Sequence, residues 1–176
     1  DIVKAVDMFA ACLVKAAEDN TPVFVIGNGG SASLAQHFSC DHTKGVRQDT
    51  YLRPNVISLT ANISLITAIA NDCSYGEIFT KQLDAFDQKG ILVAISASGN
   101  SPNIVNALQS SKGKHLTVAL VGFDGGVVKK DGLADIIIHV DSNNYGVVED
   151  CHQILMHIAA QYIRISRVKP AHKPKL

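Results

Sequence analysis

The sequence carries no net charge, its 16 lysines and arginines matching 16 aspartates and glutamates. That balance leaves no electrostatic footprint for wholesale binding to nucleic acid or to a membrane surface. Nor does any apolar run approach the roughly 20 residues of a membrane-spanning helix, and the first residues lack the basic-then-apolar layout of a secretory signal. Cys12, Cys40, Cys73 and Cys151 are widely spaced and contain no C-x-x-C pair. This argues against a disulfide framework or a zinc knuckle, and for buried, reduced thiols in a cytoplasmic protein. Internal repeats, long linkers and low-complexity segments are lacking too.

What is present is an ordered alternation of elements. At 176 residues the chain suits one domain, expected over 1–167. Residues 168–176 belong to a basic, proline-bearing tail that reads as solvated and receives no function. Ile2, Val6, Phe9, Leu13 and Ala16 recur at helical spacing, which predicts an amphipathic first helix ended by Asn20-Thr21-Pro22. Short β-rich runs follow at Val23–Ile26, Val56–Leu59, Ile91–Ile95, Leu116–Val121 and Asp135–Val140, separated by segments of helical period. The last helix is expected over roughly Val148–Ser166. Runs of this kind, apolar on both faces and joined by crossovers, predict an α/β fold: a five-stranded parallel doubly wound sheet flanked by helices.

In such a sheet ligands bind beyond the carboxyl ends of the strands, so the turns there carry the functional information. The first strand runs into Gly27-Asn28-Gly29-Gly30-Ser31, the third into Ser96-Ala97-Ser98-Gly99-Asn100-Ser101, and the fourth into Gly122-Phe123-Asp124-Gly125-Gly126. Glycines let main-chain N–H groups approach a ligand, and the helix that follows offers unpaired donors and a positive dipole end. Pro102 suits a first helical position. Hydroxyls and amides together can wrap a phosphate without a lysine. The plainer reading of these serines as helix caps fits one turn better than two turns on one sheet. Gly27-x-Gly29-x-x-Ala32 also satisfies a dinucleotide pattern, but the second strand ends in Thr60-Ala61-Asn62 where an acidic residue is required, so that fingerprint is incomplete.

Side chains able to do chemistry lie on the neighbouring helices. His37 and Asp41 are four apart and share a face about two helical turns beyond the first turn. On the last helix Glu149, Gln153 and His157 form a polar stripe on an otherwise apolar element, with His152 to the other side, where it is either a core histidine or a functional one. His37, Asp41, Glu149 and His157 are ligand types that zinc uses. Glu149 and His157 are about 12 Å apart on an ideal helix, so a kink or a neighbouring subunit is needed to bring both to one ion.

The stretches GNGGSAS-x-AQHF, TAIANDCSYGEIF, ISASGNSPN and GFDGG resemble, in order, the signature blocks of the sugar isomerase (SIS) domain family, and of its phosphoheptose isomerases in particular. The likeness spans residues 2 to 165. It implies a SIS-type, flavodoxin-like sheet with an N-terminal helix and a long C-terminal helix. It also implies a homotetramer with active sites between subunits, and aldose–ketose isomerisation of a sugar phosphate. The resemblance makes Asn28, Gly29, Gly30, Ser31, Asn71, Asp72, Ser96, Ala97, Ser98, Ser101 and Glu149 substrate contacts. Asp41 becomes the base and His157 the acid, with one zinc held by His37, Asp41, Glu149 and His157. Two positions depart from the family pattern: Asp41 stands where a glutamate is usual, and Glu149 where a glutamine is. Lys44-Gly45 replaces an expected arginine. The rival reading is a SIS module that binds a sugar phosphate or a protein partner without catalysis.

Overall fold

The structure, a computed structural model, describes residues 1–169; the remainder of the expected basic tail lies outside the described residues. Helix α1 (Ile2–Glu18) is closed at its start by Asp1, whose carboxylate accepts the Val3 N–H at 3.0 Å. It buries Val6, Phe9, Leu13 and Ala16, while Ile2 stays exposed. Asn20, at φ +54°, turns the chain into β1 (Pro22–Gly27), buried along its whole length. Then come α2 (Gly29–Cys40), a π-helical segment (Asp41–Val46), the single turn α3 (Arg47–Asp49) and β2 (Asn55–Ser58). The second crossover holds α4 (Ile63–Asp72), a 3-10 turn (Tyr75–Glu77) and α5 (Thr80–Leu83). The chain ends with β3 (Ile91–Ser96), α6 (Pro102–Ser111), β4 (Leu116–Val121), α7 (Gly126–Lys130), β5 (Ile136–His139) and α8 (Tyr145–Ser166).

The five strands are all parallel, in the order β2-β1-β3-β4-β5. The alternation of side chains along each strand divides the core in two. Val23, Val25, Val93, Ile95, Val118 and Leu120 pack under α1, α2 and α8 with Phe9, Phe38 and Met156. Phe24, Ile26, Leu92, Ala94 and Ala119 face the other way, against Ile78, Phe79, Ile104 and Leu108. The edge strands β2 and β5 are only half covered, unlike the three central ones. Truncating Phe24 or Phe38, both fully buried, to alanine removes about 3–5 kcal/mol of stability.

Two expectations need correction. The four cysteines are unpaired, as expected, but none is buried: Cys40 and Cys73 are exposed and Cys12 and Cys151 half-buried. Val168 and Lys169, assigned to a solvated tail, are pinned to the body, Val168 by a bridge to Thr50 and Lys169 by its N–H to the Asp49 carbonyl. A few residues upstream, Arg164 and the buried Asp49 form an ion pair that anchors the end of α8 to α3. No helix of the described residues is long and apolar enough to cross a membrane.

Candidate active site

The strand order reverses direction at β1, so the turns after β1 and β3 leave adjacent strands side by side, with Gly27 opposite Ile95. This switch point is where open α/β sheets bind ligands. A cavity of about 120 Å³ opens here, and Asn28, Ser31, Ser96, Ala97, Ser98, Ser101 and Glu149 line it together with Tyr145. Ser31 and Ser96 are buried. Gly30 lies beneath the Glu149 carboxylate: a Cβ there would fall 2.5 Å from both of its oxygens, so a larger residue would push that side chain off the turn. A larger hollow of about 660 Å³, between the end of α1, residues 51–53 and Arg167, contains none of the expected site residues.

The turn after β4, read in the sequence as a further anion loop, does other work. Its backbone lies against the turn after β3 so closely that a Cβ on Gly99, at φ +63°, would fall 2.1 Å from the Gly125 carbonyl oxygen. Val128 N–H donates to the Gly99 carbonyl at 3.1 Å, and Val127 N–H to Asn100 Oδ1 at 2.9 Å. The fourth turn therefore holds the serine-bearing third one in shape.

Further along α2 and α8 three side chains converge. His37 Nε2 and His157 Nε2 are 3.0 Å apart; Asp41 Oδ2 lies 3.2 Å from His157 Nε2 and 3.5 Å from His37 Nε2. His37 and Asp41 reach this point from one helical face, Asp41 being the first residue of the π-helical segment, a kind of irregularity that gathers at functional sites. The histidine side chains are half exposed, but Asp41 Oδ2 is shielded from solvent and accepts no hydrogen bond. An orphaned carboxylate oxygen beside two imidazole nitrogens is a donor set built for a cation. The trio is thus able to hold a metal ion. Neighbouring His42 takes no part: it packs against Phe38, and burial pushes its pKa down to about 4, keeping it neutral.

Glu149, expected as a fourth metal ligand, does not join this trio. α8 is continuous from Tyr145 to Ser166, and eight residues of ideal helix separate Glu149 from His157 by about 12 Å. Glu149 faces the serine cavity instead. Asn71 and Asp72 sit at the end of α4, their side chains bonded to each other at 2.9 Å and exposed, and they do not line the cavity. His152 resolves to the core: it is fully buried, and desolvation lowers its pKa. Three further side chains touch these groups without having been assigned a role. Gln153 Nε2 lies 2.8 Å from His157 Nε2, which the i, i+4 spacing foreshadowed. Asn103 and Tyr75, both bonded to Asn28, lie inside the blocks ISASGNSPN and TAIANDCSYGEIF, where neither had been given a role.

The SIS domain family profile matches residues 1–122. The phosphoheptose isomerase of Shewanella sp. (strain ANA-3) is 41% identical over 161 residues, covering 89% of this chain and 78% of that protein. The chain belongs to the SIS domain family, among the phosphoheptose isomerases. The structure of a SIS relative, the phosphoheptose isomerase of Neisseria gonorrhoeae, superposes with a TM-score of 0.82 at 29% identity, over 92% of this chain and 86% of that one. That of Francisella tularensis gives 0.80 at 30% identity, over 91% and 84%. The SIS architecture expected from the sequence, with its N-terminal helix and long C-terminal helix, is the one observed.

Proposed function

We propose that the protein is an aldose–ketose isomerase that interconverts sedoheptulose 7-phosphate and D-glycero-D-manno-heptose 7-phosphate. The observation that carries this reading is the pairing of two sites along the same two helices. α2 begins at the serine cavity and carries His37 and Asp41 onward; α8 begins there with Tyr145 and Glu149 and carries His157 onward. A sugar phosphate anchored at one end presents its far carbons to the other.

Ser31, Ser96, Ser98 and Ser101 give hydroxyl donors to the phosphate, with Asn28, Gly29, Gly30 and Ala97 supplying backbone around it. Asp41 takes the proton from the carbon beside the carbonyl, and His157 is the acid toward the oxygen where charge develops, through whichever ring nitrogen is not engaged with a metal. His37, Asp41 and His157 would hold zinc, whose chemistry is to polarise the carbonyl and hydroxyl oxygens. Ligands about 2.1 Å from a tetrahedral ion lie about 3.4 Å from one another, which supports this choice given donor spacings of 3.0, 3.2 and 3.5 Å.

We also infer a homotetramer with sites between subunits. In support, α4 buries none of its residues despite its apolar sequence, and Ile154, Ile158, Tyr162 and Ile165 of α8 are all more than half exposed. Asn71 and Asp72, at the end of α4, are then residues a neighbouring copy would lend. Unpaired cysteines fit a reducing cytoplasm.

The test is direct. Purified protein incubated with sedoheptulose 7-phosphate should yield the aldose, and Asp41→Asn should lower kcat about 10³-fold. An Asp41→Asn variant at the wild-type rate would sink the assignment. Elemental analysis of protein purified without chelator should find one zinc per chain. Thermal stabilisation by sugar phosphates without turnover would favour a binding module instead.

A further inference from the structure

Each helix of ten or more residues has at its N-cap a residue well suited to closing its own first turn: Asp1, Asn28, Asn62, Ser101 and Asn144. Three do so. Asp1 accepts from Val3 N–H, Asn62 from Leu65 N–H and Asn144 from Val147 N–H, at 3.0 to 3.1 Å. The two that do not, Asn28 on α2 and Ser101 on α6, head the two helices that follow the phosphate turns.

For Asn28 the reason is visible. Its backbone, at φ −115° and ψ 152°, has the extended conformation of a working N-cap. Only the side chain is diverted. Asn28 Oδ1 accepts from Asn103 Nδ2 at 2.8 Å and from Tyr75 Oη at 3.0 Å, which uses both of its lone pairs, and Asn28 Nδ2 donates to Asn103 Oδ1 at 2.9 Å. Asn103 lies in the first turn of α6 and is 1% exposed, so its amide depends on this paired-amide ring for partners. Tyr75 is steadied in turn, since the neighbouring Gly76 carbonyl accepts from Asn106 Nδ2 at 3.0 Å.

We propose that Asn103 is a positioning residue for substrate binding: by holding the Asn28 side chain sideways, with Tyr75 as second donor, it keeps the first N–H groups of α2 open for the phosphate oxygens. The proposal rests on the sugar-phosphate reading above. A helix N-terminus with its own cap in place must lose that hydrogen bond before it can accept an anion; α2 is spared this exchange because Asn103 has already made it. The same ring fixes the distance between the first and third turns, the two halves of the phosphate grip.

Asn103→Ala frees Asn28 to cap its own helix. Kd for sedoheptulose 7-phosphate and for inorganic phosphate, measured calorimetrically, should rise about tenfold while kcat at saturation stays within twofold. In the ligand-free variant the Gly30 and Ser31 amides should exchange slowly with solvent, whereas in the wild type they slow only when phosphate is added. Adding Asn28→Gly to Asn103→Ala removes the competing cap and should recover part of the affinity. Tyr75→Phe, on an exposed side chain, should weaken binding two- to threefold and serves if Asn103→Ala does not fold. Unchanged Kd values with only a lower Tm, fast-exchanging Gly30 and Ser31 amides in the variant, or a wild type that binds neither ligand would overturn the proposal. A wild type that binds the sugar phosphate without converting it would overturn the isomerase reading alone, because the role of Asn103 is still read from Kd.

Discussion

The serine cavity lies at the start of the two helices whose later turns carry the histidine–aspartate trio, and the two are made in different ways. The cavity is built mainly of consecutive residues in two turns, whose hydroxyls and amides are in place once β1 and β3 pair. The trio draws on residues 120 positions apart in the chain, and its 3.0 Å contact between imidazoles exists only because α2 and α8 pack in one particular register. A binding site of the first kind tolerates small changes of helix packing. A cluster of the second kind does not.

That contrast is tested most strongly by His157→Ala. It should lower kcat about 10³-fold and abolish metal retention, with KM for the sugar phosphate changed less than threefold. A large rise in KM with kcat intact would show that the two ends are not separate. Next is Gly99→Ala, which strikes the cavity through its backbone support. The new Cβ would meet the Gly125 carbonyl oxygen, and we expect a loss of about 2–3 kcal/mol in denaturant unfolding together with a raised KM. Gly113→Ala is the control, because φ is also positive there but nothing lies within 4 Å; it should lose only about 1 kcal/mol.

Glu149→Gln probes the cavity's charge. A half-buried carboxylate beside a bound phosphate costs affinity, so the amide should tighten sugar-phosphate binding about fivefold, close to 1 kcal/mol, and more at low salt. Weaker binding in the variant would mean that Glu149 instead accepts hydrogen bonds from sugar hydroxyls. The smallest effect separates exposed from buried imidazoles. Burial lowers the pKa of His115 and of His152, so the unfolded chain takes up protons at a higher pH than the fold does. Their contribution to stability is complete above the unfolded value of about 6.5 and is lost as pH falls below it. His152→Leu should flatten the decline of Tm between pH 7 and pH 5, and an unaltered slope would remove His152 from this account.

Much of the site was legible because its parts are local. The glycine-serine turns, Pro102 at the first position of α6 and the i, i+4 pair His37–Asp41 all lie within one or two turns of chain, where spacing translates directly into geometry. Glu149, expected as a fourth metal ligand given a kink or a neighbouring subunit, lies in this chain outside the His37–Asp41–His157 trio and lines the serine cavity, because eight residues of ideal helix put it about 12 Å from His157. Asn103 and Tyr75 fall inside two of the signature blocks but received no role, since an asparagine near a helix start and an exposed tyrosine have many other uses. The free thiols were foreseen but not their exposure.

By itself the sequence determined the order of strands and helices, the parallel sheet and the chemistry available in each turn, because hydrophobic period and turn composition act over a few residues at a time. Only the tertiary structure decided which of those groups meet. Whether Glu149 faces serines or histidines, and whether Asn28 caps its helix or pairs with Asn103, depends on how separate elements pack, and close packing admits one arrangement of side chains at each contact.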